Sequence, residues 1–134
     1  NMKLKIIGPS TNFFEQSCIP ITNQSENIDY LGSIYDRELL IKQRSNACLY
    51  VHGHSVGGTN PTLVEACHIG RPVVAHNNEF NREVLGESGL FFSSAEDLTE
   101  IIKNEQWRNI SPPQLSSDYD WCNISRKYST LFKL

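Results

Sequence analysis

YVHGHSVGGTNPTLVEACHIG, residues 50–70, is the stretch that decides how this chain folds. It begins within an apolar run over residues 47–51, whose composition predicts a β-strand. Gly57 and Gly58 then give the backbone the freedom to turn tightly, including at positive φ. Asn60 suits the N-cap of a helix, and Pro61 suits the first helical position because its missing N–H is not needed there. The stretch therefore predicts a strand, a glycine turn and a helix in succession.

The helix is predicted to cover residues 61–69, with an apolar face that includes Leu63 and Cys67. Gly70 stands where a left-handed glycine commonly ends a helix. The turn would point unpaired N–H groups and the positive end of the helix dipole at one spot, which suits a phosphate group. Glu65, one turn into the helix, would repel phosphate but suits neighbouring sugar hydroxyls. A nucleoside diphosphate presents both groups, although the same residues also fit a strand-to-helix turn without a ligand.

Length and composition set broad limits on the class of protein. A chain of 134 residues with 39% hydrophobic residues is expected to fold as one domain with a core. Its net charge is −3 and it has no basic run, so nucleic acid is not an expected partner. The four cysteines lie far apart and are expected to be reduced in a cytoplasmic protein, with Cys48 and Cys67 on core faces. Asn1 precedes Met2 and is interpreted as the remainder of an expression tag.

Short apolar strands alternate with amphipathic helices along the whole chain. The predicted strands are residues 4–8, 28–31, 47–51, 72–75 and 90–92. The predicted helices are residues 36–44, 61–69, 94–103 and 120–132, with a short helix within 10–25 and a helical turn at 82–85. This alternation predicts an α/β fold, a Rossmann-like parallel sheet of about five strands with helices on both faces. Ligands of such sheets bind at the carboxyl ends of the strands, where the loops at residues 52–60 and 76–81 are expected to lie.

Several motifs resemble those of GT-B glycosyltransferases of the family 4 type. The main one is Glu-Ala-Cys-His-Ile-Gly-Arg-Pro-Val at residues 65–73, directly after the glycine turn. The strands that end at Gly8 and Gly32, the segment REVLGESGLFF at residues 82–92, and the tryptophan helix at 121–128 are also similar to that family. The resemblance implies the C-terminal half of a GT-B fold. It places a nucleotide-sugar-binding domain over residues 2–110, incomplete at its N-terminus, and a linker with a C-terminal helix over residues 111–134.

The resemblance also implies a function. The chain would be the donor-binding portion of a glycosyltransferase, with a nucleotide-activated sugar as substrate and no separate cofactor. Residues 52–66 resemble, more narrowly, bacterial rhamnosyltransferases of polysaccharide synthesis. The expected partner is an N-terminal acceptor domain, in cis or in trans, without which the chain would be inactive. The expected location is the cytoplasm, peripheral to the inner face of the membrane. The last helix carries an apolar stripe at helical spacing, formed by Trp121, Ile124, Tyr128 and Leu131. This stripe is expected to dock on the chain's own sheet layer or to form a homodimer. A non-catalytic module for nucleotide sugars or phospholigands, and a subunit of a split transferase, are alternatives.

Site residues follow from matching the family motif to this sequence. Of the family's two glutamates, the second holds the ribose and matches Glu65, whereas the first falls on Gly57, so that carboxylate is missing. Backbone amides of the glycine turn are expected to serve in its place, and catalytic residues are not assigned. The expected binding residues are His54, Gly57, Gly58, Thr59, Asn60, Glu65, Asn81 and Arg82.

His52 and His54 bracket a glycine, a spacing that could serve two ligands of a metal ion. A metal would need a third ligand, such as His76, and family 4 enzymes resemble metal-independent catalysts. We therefore expect no metal, and we expect His54 to contact the donor sugar or to shape the loop.

Overall fold

The computed structural model describes residues 2–132. The predicted tag residue Asn1 and the last two residues of the predicted 111–134 segment lie outside the described residues. Contacts divide the chain into two compact units, one ending at Lys42 and the other beginning at Gln43. The predicted boundary between residues 110 and 111 therefore falls inside the second unit, and the proposed division into a binding domain and a C-terminal segment stays a prediction.

The first unit contains a pair of short parallel strands, β1 (Leu4–Ile6) and β2 (Ile28–Tyr30). A π-helical turn (Phe14–Cys18) and α1 (Ile19–Asn23) connect them, so more of residues 10–25 is helical than predicted. Pro20 is tolerated here because it stands within the first two positions of α1.

The second unit contains a parallel sheet in the order β3–β4–β5. The strands are β3 (Tyr50–His52), β4 (Val73–His76) and β5 (Leu90–Phe92). The longer helices are α2 (Arg37–Ser45), which crosses the division between the units, α3 (Pro61–Ile69), α4 (Glu79–Leu85), α5 (Ala95–Lys103) and α6 (Trp121–Phe132). Parallel strands alternating with helices confirm the predicted Rossmann-like α/β fold. The five strands, however, form sheets of two and three, because no described backbone ladder joins β1 and β2 to the others.

Two apolar clusters cover opposite faces of the three-stranded sheet, because successive strand residues point to opposite sides. Val73 and Ala75 pack with residues of α3 and α4, among them Leu63 and Leu85. Val74 packs on the other side, in a cluster with Phe92, Ile101 and Trp107. Helices therefore flank both faces of the sheet, as predicted.

Two boundaries differ from the prediction, one before the amino end of β3 and one after the carboxyl end of β4. The strand predicted at residues 47–51 begins later, because the Ala47 amide donates to the Arg44 carbonyl at 3.1 Å in the turn after α2. The same shift leaves Cys48 exposed, contrary to its predicted place on a core face, whereas Cys67 is buried as predicted. The predicted loop at residues 77–81 is largely helix, because the Asn78 side chain accepts a hydrogen bond from the Asn81 amide at 2.8 Å and caps α4.

The C-terminal helix forms as predicted, and the described chain leaves its apolar stripe largely uncovered. Trp121 is 81% exposed, and Tyr128 and Leu131 are also exposed, while Ile124 is half-buried. The predicted docking of this stripe onto the chain's own sheet layer is therefore wrong for this single chain. No helix within residues 2–132 has the length and apolar character needed to cross a membrane.

Candidate functional site

The candidate site is the loop at residues 53–60, which joins the carboxyl end of β3 to the first turn of α3. The Asn60 side chain accepts a hydrogen bond from the Thr62 amide at 2.9 Å, and Pro61 follows at the first helical position. Gly57 has a φ of 97°, which L-residues rarely adopt, whereas Gly58 does not have a positive φ. Gly70 ends the helix in the left-handed conformation. The predicted strand, glycine turn and capped helix are confirmed.

Unpaired backbone amides line this loop. Within residues 2–132, no backbone N–H from Ser55 to Asn60 donates a hydrogen bond to the protein. Val56, in the middle of the loop, is 77% exposed, so this part of the loop is open to solvent. Unpaired amides beside the positive end of a nine-residue helix form a favourable place for an anion.

The beginning of the loop is held by α4. The Asn81 side-chain amide donates to the His54 carbonyl at 3.0 Å and to the His76 carbonyl at 2.9 Å. Asn78 donates to the same His54 carbonyl at 3.1 Å. Asn81 is only 2% exposed, and both of its amide hydrogens are used inside the protein. Its structural role is to join the turns that follow β3 and β4, and the predicted contact with a ligand stays a prediction.

Three aromatic rings follow one another along the face of β3. The ring centroids of Tyr50 and His52 are 6.1 Å apart, and those of His52 and His54 are 6.0 Å apart. His52 is 4% exposed, and its Nε2 atom is buried without a hydrogen-bond partner. Burial lowers the pKa of His52, and the nearby His54 lowers it further. The exposed His54 lies beside Gly57, since a Cβ atom added to Gly57 would be 3.5 Å from the Nε2 of His54.

His76 lies on the opposite face of the sheet. His52 is paired with Ala75, so the next residue, His76, points the other way and packs edge-on against Phe92 with centroids 5.6 Å apart. It therefore cannot complete a metal site with His52 and His54. Residues 2–132 contain no cluster of three or more side chains that could hold a metal ion.

Glu65 has a partner that the sequence did not indicate. Its Oε2 atom lies 2.8 Å from the Nη1 atom of Arg44. The Cζ atom of the same arginine lies 6.0 Å from the centroid of the Tyr50 ring. Arg44 precedes Glu65 by 21 residues and belongs to a different helix, so no local spacing links the two. Glu65, the residue expected to bind the ribose, is thus held in an ion pair through one of its two carboxylate oxygens.

Arg82, one of the expected binding residues, is directed elsewhere. Its Nε donates to the Asn77 side chain at 2.6 Å, and its guanidinium lies 4.5 Å from the centroid of the Phe91 ring. Phe91 belongs to β5, which β4 separates from β3, a distance of roughly 10 Å across the sheet. The structure therefore does not bring Arg82 to the glycine turn, because the α4 residue that reaches the loop is Asn81.

Tyr119 is a further residue near the loop that the sequence analysis missed. It packs against the core cluster of α3 and α4, together with Leu115. Burial raises the pKa of Tyr119, the charge of Glu83 acts in the same direction, and a hydrogen bond with the Thr59 side chain opposes both. Part of the segment predicted as a linker thus packs on the domain, with Tyr119 near Thr59 of the glycine turn. An isolated tyrosine in a Pro/Ser-rich stretch carries no signal for that contact.

Comparison with known proteins shows a likeness of fold to solved structures. No protein-family model and no curated protein matches the sequence. Among solved structures, the chain is similar to Alr3699/HepE of Anabaena, crystallised in complex with UDP, with a TM-score of 0.68 at 15% sequence identity. The match covers 99% of this chain and 41% of the HepE chain, so this chain spans less than half of that protein. At this identity the likeness concerns the fold: the chain has the α/β architecture found in part of a protein that binds UDP.

Proposed function

We propose that this chain binds a nucleoside-diphosphate sugar, as the donor-binding portion of a glycosyltransferase. The observation that carries the proposal is the row of unpaired amides from Ser55 to Asn60 at the amino end of α3. The binding of UDP by HepE, whose fold is similar, supports a nucleotide as the ligand.

Each part of the ligand has a proposed partner. The amides of Gly57, Gly58 and Thr59 bind the diphosphate, together with the helix dipole. Glu65 accepts hydrogen bonds from the ribose hydroxyls through the oxygen that does not face Arg44. His54, next to Gly57, lies near the position of the carboxylate that the family has and this chain lacks.

The proposed reaction needs a second domain that binds the acceptor. Transfer requires donor and acceptor to be held in line, so this chain alone is expected to bind the donor without transferring it. During transfer, the helix end and loop amides would stabilise the charge that grows on the leaving diphosphate. The sugar is proposed to be rhamnose or a related deoxysugar, used in polysaccharide synthesis at the cytoplasmic face of the membrane. The donor is the substrate, and no additional cofactor is proposed.

The test adds one negative charge at the proposed anion site without removing the helix cap. Asn60→Asp keeps the capping oxygen, because Asp and Asn are equally good N-caps, and a negative charge there also suits the helix dipole. Folding stability should therefore stay the same or rise slightly. A bound diphosphate would be repelled by about 1–4 kcal/mol if the charges are roughly 4 Å apart.

The matched control is Lys103→Gln, which makes the same change in net charge on α5. That helix packs through Ile101 on the other face of the sheet. Calorimetry with UDP should show a large loss of affinity for Asn60→Asp and little change for Lys103→Gln. Equal affinities for both variants and the unmodified chain, or no binding of any nucleoside diphosphate, would refute the proposal.

A further inference from the structure

A buried histidine next to the loop has a ring nitrogen without a partner. The Nε2 atom of His52 makes no hydrogen bond in the described part of the protein, and the side chain is 4% exposed. Buried polar atoms are nearly always hydrogen-bonded, so each exception calls for an explanation such as a ligand. His52 precedes the loop directly, and its ring lies 6.0 Å from that of His54, which is beside the glycine turn. The unpartnered nitrogen of His52 thus lies on a residue that borders the proposed binding site, whereas His76 Nδ1, also buried without a partner, lies on the other face of the sheet.

The arginines of the second unit near this sheet are already engaged. Arg44 pairs with Glu65, Arg71 donates to the Ser45 carbonyl at 2.6 Å, and Arg82 donates to Asn77. The loop itself contains no lysine or arginine. A diphosphate bound here would therefore meet amides and a helix dipole, but no permanent cation from the loop. Histidine is the residue type in this stretch that can become cationic near neutral pH.

We propose that His52 and His54 supply this positive charge. Binding of the diphosphate draws a proton from solvent onto the histidine pair. The inference rests on the proposed function and extends it to a residue, His52, that is outside the expected binding set. The proton adds to a ring nitrogen of the pair, and the resulting imidazolium faces the charge of the bound anion. The unpartnered Nε2 of His52 is free to accept this proton.

The groups around His52 are consistent with proton uptake upon binding. Burial lowers the pKa of His52 and His54 lowers it further, so His52 is neutral in the free protein at pH 7. The other shifted groups nearby do not add charge beside His52. Glu83 raises the pKa of Tyr119, and burial raises the pKa of the Cys67 thiol to about 11, which keeps the thiol neutral. Glu65 is paired with Arg44, which lies over the Tyr50 ring. An arriving anion is thus the group that would raise the pKa of His52.

The sign of the pH dependence follows directly. A ligand that raises the pKa of a group binds more tightly as the pH falls from the bound-state pKa to the free-state pKa. For one proton, the affinity changes by up to about tenfold per pH unit inside that window. Outside the window the affinity is independent of pH.

The experiment is calorimetry of the whole chain with UDP-glucose, whose diphosphate does not titrate near neutral pH. Titrations from about pH 6 to about pH 8, each in two buffers of different ionisation enthalpy, count the protons taken up. We expect net proton uptake and an affinity that falls as the pH rises. Binding without proton uptake and without pH dependence would overturn this inference and leave the proposed function intact. A chain that binds no nucleotide would refute both.

The other two histidines provide matched controls. His54→Gln and His52→Gln should each reduce proton uptake. His68→Gln, on the exposed side of α3, and His76→Gln, on the other face of the sheet, should leave it unchanged. Because His52 is buried and its variant can unfold, imidazole NMR of the unmodified chain provides a second measurement. Resonances of His52 and His54 that show no change of protonation on binding would also overturn the inference.

Discussion

Two substitutions that break the same ion pair are expected to change nucleotide affinity in different ways. Glu65→Gln removes the carboxylate that we propose for the ribose, while Arg44→Met keeps that carboxylate and removes its partner. Losing a charged hydrogen bond to ribose should weaken binding by about 1–3 kcal/mol, or roughly 5- to 150-fold. Arg44→Met should leave the affinity unchanged or raise it, because both carboxylate oxygens of Glu65 become available.

The structure also sets the expected changes in folding stability. The side chain of Glu65 is 59% exposed and that of Arg44 is 13% exposed, so solvent screens the pair from one side. A pair of this kind contributes about 0–1 kcal/mol. Arg44→Met additionally loses the interaction with the Tyr50 ring, which is worth about 0.5–1 kcal/mol. Glu65→Gln should therefore have the more stable fold of the two variants and yet bind the nucleotide more weakly.

Urea unfolding and calorimetry with UDP, performed on both variants, separate these effects. If both variants lose UDP affinity to the same extent, the ion pair only positions α3 and Glu65 does not contact the ribose. If neither variant loses affinity, the ribose is bound by other residues. Only a loss confined to Glu65→Gln supports the proposed contact.

Three further predictions concern the loop, the buried histidine and the last helix. Gly57→Ala should destabilise the fold by about 1–3 kcal/mol in urea unfolding, because φ is 97° there, whereas an equal loss for Gly58→Ala would contradict this reasoning. Folding stability should fall as the pH drops from about 6.5 through the lower folded-state pKa of His52, because in this range the unfolded chain binds more protons than the folded chain. His52→Phe should reduce the dependence of the unfolding free energy on pH, measured by urea unfolding. Light scattering over a concentration series should reveal a dimer that Trp121→Ala disrupts, because exposed apolar stripes usually mark contact surfaces, and a monomer at every concentration would refute it.

The sequence allowed good prediction of features that depend on neighbouring residues. The Asn60 cap, the positive φ of Gly57 and the left-handed Gly70 each follow from the chemistry of one residue and its immediate neighbours. The same is true of the helix that starts after Ser94, where Ser94 and Asp97 form a reciprocal capping box. Alternation of such elements was sufficient to predict the α/β fold.

Side-chain contacts between distant residues were not predictable. Glu65 pairs with Arg44, and Tyr119 packs against the core cluster of α3 and α4. Both partners come from other elements and have no fixed spacing in the sequence. The ends of two strands were placed wrongly for a different reason. His52 and His76 are polar and were predicted to begin loops, but they are the last residues of β3 and β4. His52 instead continues β3, since the ladder pairs it with Ala75 and a neutral imidazole can be buried.

The two fixed ends of the glycine loop have a consequence for how the site can evolve. One end is fixed at the His54 carbonyl, which accepts hydrogen bonds from Asn78 and Asn81, and the other at the Asn60 cap. The backbone amides between these points support no other part of the described fold. Mutations at Ser55, Val56 and Gly58 can therefore change what is recognised while the sheet and α3 keep their places, whereas Gly57 is held to glycine by its positive φ. Such a segment lets selection explore new ligands at little risk to folding.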